Sequence, residues 1–411
     1  MDSGKRVQVA ILGGGPVGLE AAVACAQSGL EFVLFERGAI ADNVQKWGHV
    51  QLFSPLSMNL SLEACRLLSE KGHPVPSENA LLTGRDFVEQ ILVPLAKSLR
   101  PFGRIQEHSK VVHVSRDGLL KSDFIGNEQR QAAPFRLFVK AGDEDSIVLA
   151  DAVIDCTGTF GNHNWLGSGG IPCLGEQRFS ERIRYDIPDI QGVDRSEYQD
   201  QKTLIVGAGY TAATNVVNLS ELAKSSTRTQ IVWVTRRSAS APIPRIENDS
   251  LIGRDSLAER ANSLSVANDS PVTWMSGYVV EEIRSGVKFP LSVTLTNVES
   301  HEKAEIEVDR ILGNVGNQPD RSMCQELQVH ECYASFGPMK LAAALMGETS
   351  ADCLTQASHG IDVLRSPEPN FFVCGSKSYG RNSRFLMRIG IEQVQLVAAE
   401  LSKILSNREA G

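Results

Sequence analysis

No two of the eight cysteines stand as a CxxC pair, and no His/Cys cluster has the spacing of a zinc site. Cys25, Cys65, Cys156, Cys173, Cys324, Cys332, Cys353 and Cys374 are scattered along the chain. That excludes a dithiol relay built on CxxC and predicts no metal. It leaves reduced, mostly buried thiols as the expectation for a cytoplasmic protein. Long apolar runs are also missing. None reaches the roughly 20 residues that a helix needs to span a bilayer, so no membrane contact is expected. Positive charge is not in excess: 41 Lys and Arg stand against 49 Asp and Glu, for a net charge of -8. No basic surface for nucleic acid is expected. The first strand-like run begins within a few residues of Met1, which leaves no room for a signal peptide.

What is present is ordinary in amount. The 411 residues are 42% hydrophobic and 22% charged, a soluble globular mix. That length exceeds one usual core and predicts two domains.

Two stretches stand out. "VAILGGGPVGLE", from Val9, fits GxGxxG at Gly13, Gly15 and Gly18, with Pro16 and Val17 between the last two. In such a turn the first glycine permits the tight bend and the second lets the backbone approach a pyrophosphate. The third lets helix and sheet pack closely. The free N–H groups and partial positive charge of the helix start then face the phosphates. The next β-prone run, "LEFVLFERG", ends in Glu36 and Arg37. A carboxylate there accepts from ribose hydroxyls.

"TLIVGAGYTAATNVV", from Thr203, repeats the pattern as GxGxxA at Gly207, Gly209 and Ala212, around Tyr210 and Thr211. Its following strand ends in Arg236 and Arg237 instead of a carboxylate. Two guanidiniums attract a 2′-phosphate that an acidic residue would repel, so this half is expected to prefer NADPH.

The similarity runs further. "KVVHVSRDG", which contains Val112, "FRLFVK" and "IVLADAVIDCTG" follow the first unit. "YVVEEIRSG", "LSVTLT" and "IEVDRILGNVG" follow the second. Each half reads as a βαβ unit, a three-strand meander and a strand ending at glycine. The expected fold is α/β, with two Rossmann-like three-layer domains, the second inserted in the first. The dinucleotide domain of residues 1–195 and 321–411 carries a helical excursion at about 54–100, and the inserted domain covers 196–320.

This order resembles the flavoproteins with two dinucleotide-binding domains, among them thioredoxin reductase-like enzymes and class B flavin-containing monooxygenases. The resemblance implies FAD in the first domain and NADPH in the second. It places Gly13, Gly15, Gly18 and Glu36 on FAD. It places Thr157 and Gly158 of "DCTG" beside the flavin, and Gly316 of "NVGNQPD" at the return crossing. Gly375 matches the glycine before the final FAD contact, with Ser376 where the family has aspartate. The helix near Ile391 aims at the flavin ring. The family's dithiol is absent, and "GIPCLGEQRFSERIRYDIPD" lacks the monooxygenase fingerprint's glycine and histidine after Phe179.

Three segments are candidates for the reactive pocket. Trp47 and His49 lie in "NVQKWGHVQLFSP", which in the resembling enzymes passes over the isoalloxazine. His163 follows the flavin strand. Lys377, Arg381, Arg384 and Arg388 crowd one loop, where positive charge stabilises an anionic ring or substrate. The 54–100 excursion is expected to cap the flavin or gate substrate entry, and Arg245 to add to the NADPH phosphate site. The resemblance implies an NADPH-dependent oxidoreductase that oxygenates a small substrate with molecular oxygen through a C4a-peroxyflavin. The alternative is a reductase of an external disulfide, quinone or other acceptor, in which Cys156 or Cys374 reaches the flavin if a thiol acts directly. The catalytic residues are unassigned, and a homodimer fits the resemblance.

Overall fold

In the computed structural model, which describes residues 6–347, 354 and 359–409, the apolar run Val7–Leu12 forms β1. It shares a sheet with β2 (Phe32–Phe35), β3 (Gly103–Gln106), β4 (Lys110–Arg116), β5 (Phe135–Ala141) and β6 (Glu144–Asp155). The sheet order is β3-β2-β1-β6-β5-β4. Strands 1, 2, 3 and the end of 6 are parallel, while 4, 5 and the start of 6 form an antiparallel meander. β6 is twelve residues long because it serves both systems. Its first half pairs with β5, and its second half pairs with β1. Near-continuous apolar runs are what a strand covered on both faces requires. Val9 and Ile11 pack on the helical side with the helix Pro16–Gln27, while Ala10 and Leu12 pack under the meander.

The excursion after β2 forms two helical stretches, Leu62–Glu70 and Gly84–Leu99, the second interrupted by a π turn at Val88–Leu92. Ser61 caps the first, and Thr83 with Asp86 makes a capping box on the second. Ala64, Leu68, Phe87, Ile91, Leu95 and Leu99 are buried in the core that also holds the first helix. The excursion's apolar face is thus packed into the core.

The second unit repeats the plan with a cut. β7 (Ile183–Arg184), β8 (Lys202–Val206), β9 (Gln230–Thr235), β10 (Val272–Ser276) and β14 (Arg310–Gly313) make a parallel sheet in the order β10-β9-β8-β14-β7. β11 (Tyr278–Ser285), β12 (Leu291–Asn297) and β13 (Lys303–Val308) form a separate antiparallel sheet. The counterpart of the long β6 is thus broken in two at Asp309. There Asp309 N donates to Lys202 O at 2.9 Å, and Asp309 Oδ2 accepts from Lys202 N at 2.8 Å.

Two compact units result: the chain up to Asn162 with that from Gln318, and His163–Asn317. The inserted unit begins well before residue 196. Residues 163–195 join it because β7 pairs with β14, and because Gly167 and Leu174 bridge to Val280 and Glu282 of β11. Buried Glu176 fixes this segment by accepting from Leu166 N, Cys173 N and Tyr185 Oη at 2.9, 2.8 and 2.6 Å. In the first unit β15 (Phe371–Val373) takes the equivalent place beside β6.

A buried charge cluster ties the first unit's meander to the approach to β15. Glu368 receives Arg116 Nε at 2.7 Å, Arg130 Nε at 3.0 Å and Gln328 N at 2.8 Å. All three charged side chains are fully buried. Among the described residues no helix is long and apolar enough to cross a membrane.

Candidate functional site

The first glycine turn joins β1 to the helix Pro16–Gln27. Gly13 has φ +98°, and a Cβ on it would lie 2.7 Å from the carbonyl oxygen of Cys156. A Cβ on Gly18 would lie 1.9 Å from Gly13 O. Around Gly15 nothing lies within 4 Å of the same position. Two glycines are therefore required by packing, and the third borders open space. Pro16 opens the helix, where its missing N–H costs nothing. Gly15 offers no capping side chain, so the first-turn amides of Val17 and Gly18 stay available to an anion.

Glu36 is buried and accepts from Gly14 N at 2.7 Å and Gly38 N at 2.9 Å. It braces the turn itself, and its carboxylate retains acceptor capacity for a hydroxyl pair. Arg37 is exposed and reaches Asn43 Oδ1 at 3.4 Å. Val112 sits at the register shift of β4, between Val111 and His113.

Three further elements converge on this turn. The end of β6 supplies Thr157 and Gly158, the latter at φ +68°. The end of β15 supplies Gly375 and Ser376. A Cβ on Gly375 would lie 3.3 Å from Val17, and one on Gly158 3.4 Å from Ser376 Oγ. The last helix, Met387–Glu409, contributes Gln393, whose Oε1 accepts from Gly375 N at 2.8 Å. Ile391 is buried in that helix.

Lys377, read from sequence as loop charge, is buried and paired with Asp155 at 2.7 Å. Burial pulls its ammonium down, and Asp155 with its neighbours more than offsets this, leaving it above its ordinary value. The arginines of the same loop have partners as well. Arg388 pairs with Glu392 at 2.6 Å, and Arg381 lies over Phe336 and donates to Gln318 at 2.5 Å. Arg384 donates to Asn382 Oδ1 and Leu345 O.

Trp47 packs against Gly84: a Cβ there would lie 2.8 Å from the indole. The 47–52 stretch is held to the excursion through Gly84 N to Val50 O at 2.9 Å and Arg85 N to Gly48 O at 2.8 Å. The Nε2 atom of His49 is buried without a hydrogen-bond partner. Cys156 and Cys374 are free, buried thiols, both pushed up by burial and by neighbouring negative groups. Cys353 lies outside the described residues.

The second turn has the same build. Gly207 has φ +141°, and its Cβ would lie 2.1 Å from Asn314 O, while Gly209 again borders open space. Tyr210, Thr211 and buried Ala212 begin the helix Tyr210–Ala223, which has no capping side chain at Gly209. Trp233 Nε1 donates to Gly207 O at 2.8 Å. Gly316, at φ +82°, follows Asn314 as Gly158 follows Cys156.

Arg236 and Arg237 are exposed at the end of β9, and among the described residues no ion pair or side-chain hydrogen bond engages either guanidinium. Arg245, by contrast, is held by Asp255 at 2.6 Å and Glu259 at 3.4 Å, so it is not a spare phosphate ligand. His163 belongs to this unit, where it stacks on Tyr185 at 3.5 Å and meets Trp165 edge-on at 5.0 Å. Sequence reasoning missed the Asn215–Asn314 hydrogen bond at 3.0 Å, as well as Glu176, Gln393 and the Lys377–Asp155 pair. Nothing in the sequence marked the last, since Lys377 lies in a polar glycine-serine loop four residues past the strand end.

The donor set fits a dinucleotide in each turn: open space at the second glycine, uncapped first-turn amides and a polar group at the end of the next strand.

No protein-family model matches the chain, and no curated protein matches it. Solved structures do. A bacillithiol disulfide reductase from Bacillus cereus is 18% identical, with a TM-score of 0.68 over 97% of this chain and 100% of that one. A thioredoxin reductase from T. acidophilum is 15% identical, with a TM-score of 0.61 over 97% and 98%. An ornithine N-hydroxylase from Kutzneria sp. 744, with reduced FAD, NADP+ and L-ornithine, is 14% identical, with a TM-score of 0.61 over 98% and 100%. Over nearly its whole length the chain has the fold of the thioredoxin reductase-like and class B monooxygenase-like flavoproteins.

Proposed function

We propose that the chain is an FAD- and NADPH-dependent oxidoreductase. The observation that carries this reading is one cradle built twice with opposite charge beyond it: Glu36 after the first, Arg236 and Arg237 after the second. In the first unit the amides of Gly15, Val17 and Gly18 bind the FAD pyrophosphate, and Glu36 accepts from the ribose. In the second, the amides beside Gly209 bind the NADPH pyrophosphate, and the two arginines hold its 2′-phosphate. FAD, if bound there, would supply two-electron chemistry between NADPH and an acceptor. The protein positions the cofactors and excludes water.

The acceptor comes from outside the chain. The sequence has no CxxC, and burial keeps Cys156 and Cys374 protonated. The first reading of its identity is molecular oxygen, in a monooxygenase reaction. NADPH, a proton, oxygen and a small substrate give NADP+, water and the oxygenated substrate. The second is an external disulfide or quinone, favoured by the likeness in fold to the disulfide reductase.

The test is anaerobic reduction of the purified yellow protein by NADPH, followed by mixing with oxygen. A spectral species lasting seconds between the reduced and oxidised forms supports oxygenation. Direct reoxidation with full peroxide release, together with turnover of a small disulfide or quinone, supports the second reading. No bleaching by NADPH overturns both.

A further inference from the structure

The walls of the first cradle are joined by a buried network that the reading above leaves unused. Asp155 ends β6, and Lys377 follows β15 by four residues. Lys377 Nζ donates to Asp155 Oδ2 at 2.7 Å and to Thr157 Oγ1 at 3.1 Å. Asp155 Oδ1 accepts from Thr157 Oγ1 at 2.6 Å and from Thr157 N at 3.0 Å. Asp155 is fully buried and Lys377 is 4% exposed.

This network lies directly against the glycine turn. A Cβ on Gly13 would lie 3.1 Å from Thr157 Cα, and Gly375 abuts Val17 of the first helix. From the far side Gln393 holds Gly375 N, while Ser378 Oγ donates to Gly375 O at 2.7 Å. The single hydroxyl proton of Thr157 goes to Asp155, and a lone pair takes the Lys377 ammonium. Thr157 therefore belongs to the wall.

We propose that Lys377 is the positioning residue of the first cradle: through Asp155 and Thr157 it holds the Thr157–Gly158 and Gly375–Ser376 backbones at the spacing FAD requires, without touching FAD itself. The proposal rests on the FAD reading. Its physical basis is mutual dependence. Each charge is buried, so neither is tolerated without the other, and each lies on a different strand end. Had Lys377 been a phosphate ligand, its ammonium would be turned toward the open space at Gly15, and Asp155 would compete with the phosphate for it.

The experiment is titration of the FAD-stripped full-length protein with FAD, followed by flavin fluorescence, for wild type, Lys377→Met, Asp155→Asn and the double variant. We expect each single variant to lose FAD affinity about 100-fold, the size of a broken buried polar contact. The double variant should be no weaker than either single, because the pair acts as a unit. NADPH affinity, measured on the same samples, should stay within threefold, and an unchanged circular dichroism spectrum and denaturant midpoint show that the first unit is folded. The double variant, with no lone buried charge, supplies a folded comparison if a single variant unfolds.

Tighter FAD binding by Asp155→Asn, with a loss in Lys377→Met, would make Lys377 a direct ligand and overturn the proposal. So would variants that bind FAD within threefold of wild type. A wild-type chain that takes up no FAD would overturn the parent reading and this one with it.

Discussion

Gly207 and Asn314 touch: a Cβ on the glycine would stand 2.1 Å from the asparagine's carbonyl oxygen, at a φ of +141° that L side chains rarely adopt. Gly207→Ala must therefore strain the backbone and push the end of β14 away. We expect a loss of several kcal/mol in unfolding free energy. Gly209→Ala is the contrast, since nothing lies within 4 Å of its added methyl. Its stability without nucleotide should change by less than about 0.5 kcal/mol, while its KM for NADPH rises because the methyl enters the nucleotide's space. Chemical denaturation and steady-state kinetics on the two variants check this pair.

Arg236 and Arg237 are exposed, and among the described residues nothing pairs with their guanidiniums. Replacing both with alanine should lower kcat/KM for NADPH about 10- to 100-fold, the effect of losing charge-assisted bonds to phosphate. NADH, which has no 2′-phosphate, should be used as before. An equal fall for both cofactors would remove the arginines from the phosphate site.

Glu20, in the first helix, is buried and accepts from Ser61 N at 2.8 Å. Burial raises its carboxyl from 4.5 to about 7, against the smaller opposing pull of the Ser61 bonds. The folded value lies above the unfolded one, so between them the native chain binds the extra proton. Stability then falls as pH rises from about 4.5 to 7 and is flat above that, by about 3 kcal/mol in all. Glu20→Gln should match wild type near pH 5 and exceed it by up to that amount at pH 8. Denaturation midpoints at the two pH values decide it.

Glu368 neutralises two fully buried arginines. Glu368→Gln keeps the shape and leaves both cations with too little negative charge. A loss of about 3–5 kcal/mol is expected, read as a lower denaturant midpoint.

The repeat was legible because its causes are local. Gly13, Gly15 and Gly18 sit between an apolar run and a small-residue helix, and Gly207, Gly209 and Ala212 do the same. Gly13, Gly18 and Gly207 each answer a steric demand of their own turn, while Gly15 and Gly209 leave open space beside it. Lys377 was not legible in this way. Its partner is 222 residues away in sequence, and a lysine in a glycine-serine loop has the same letter whether solvated or buried. The start of the inserted unit was hidden for a similar reason. β7 is two residues long and is defined only by its pairing with β14. Arg245 resembled Arg236 and Arg237 until Asp255 and Glu259, on a helix with no capping signal, were found to hold it.

The π turn at Val88–Leu92 adds one residue to a helical turn just before Pro94, which has no N–H to give the carbonyl of Gln90. That residue resets the phase of the helix, so that Phe87 before the turn, Ile91 within it and Leu95 and Leu99 after it all reach one core. A homologue without the reset would have to carry its apolar positions one place earlier beyond the turn. An alignment of the two would open a single-residue gap in the middle of an unbroken helix, and that gap would be a structural feature, not an error of alignment.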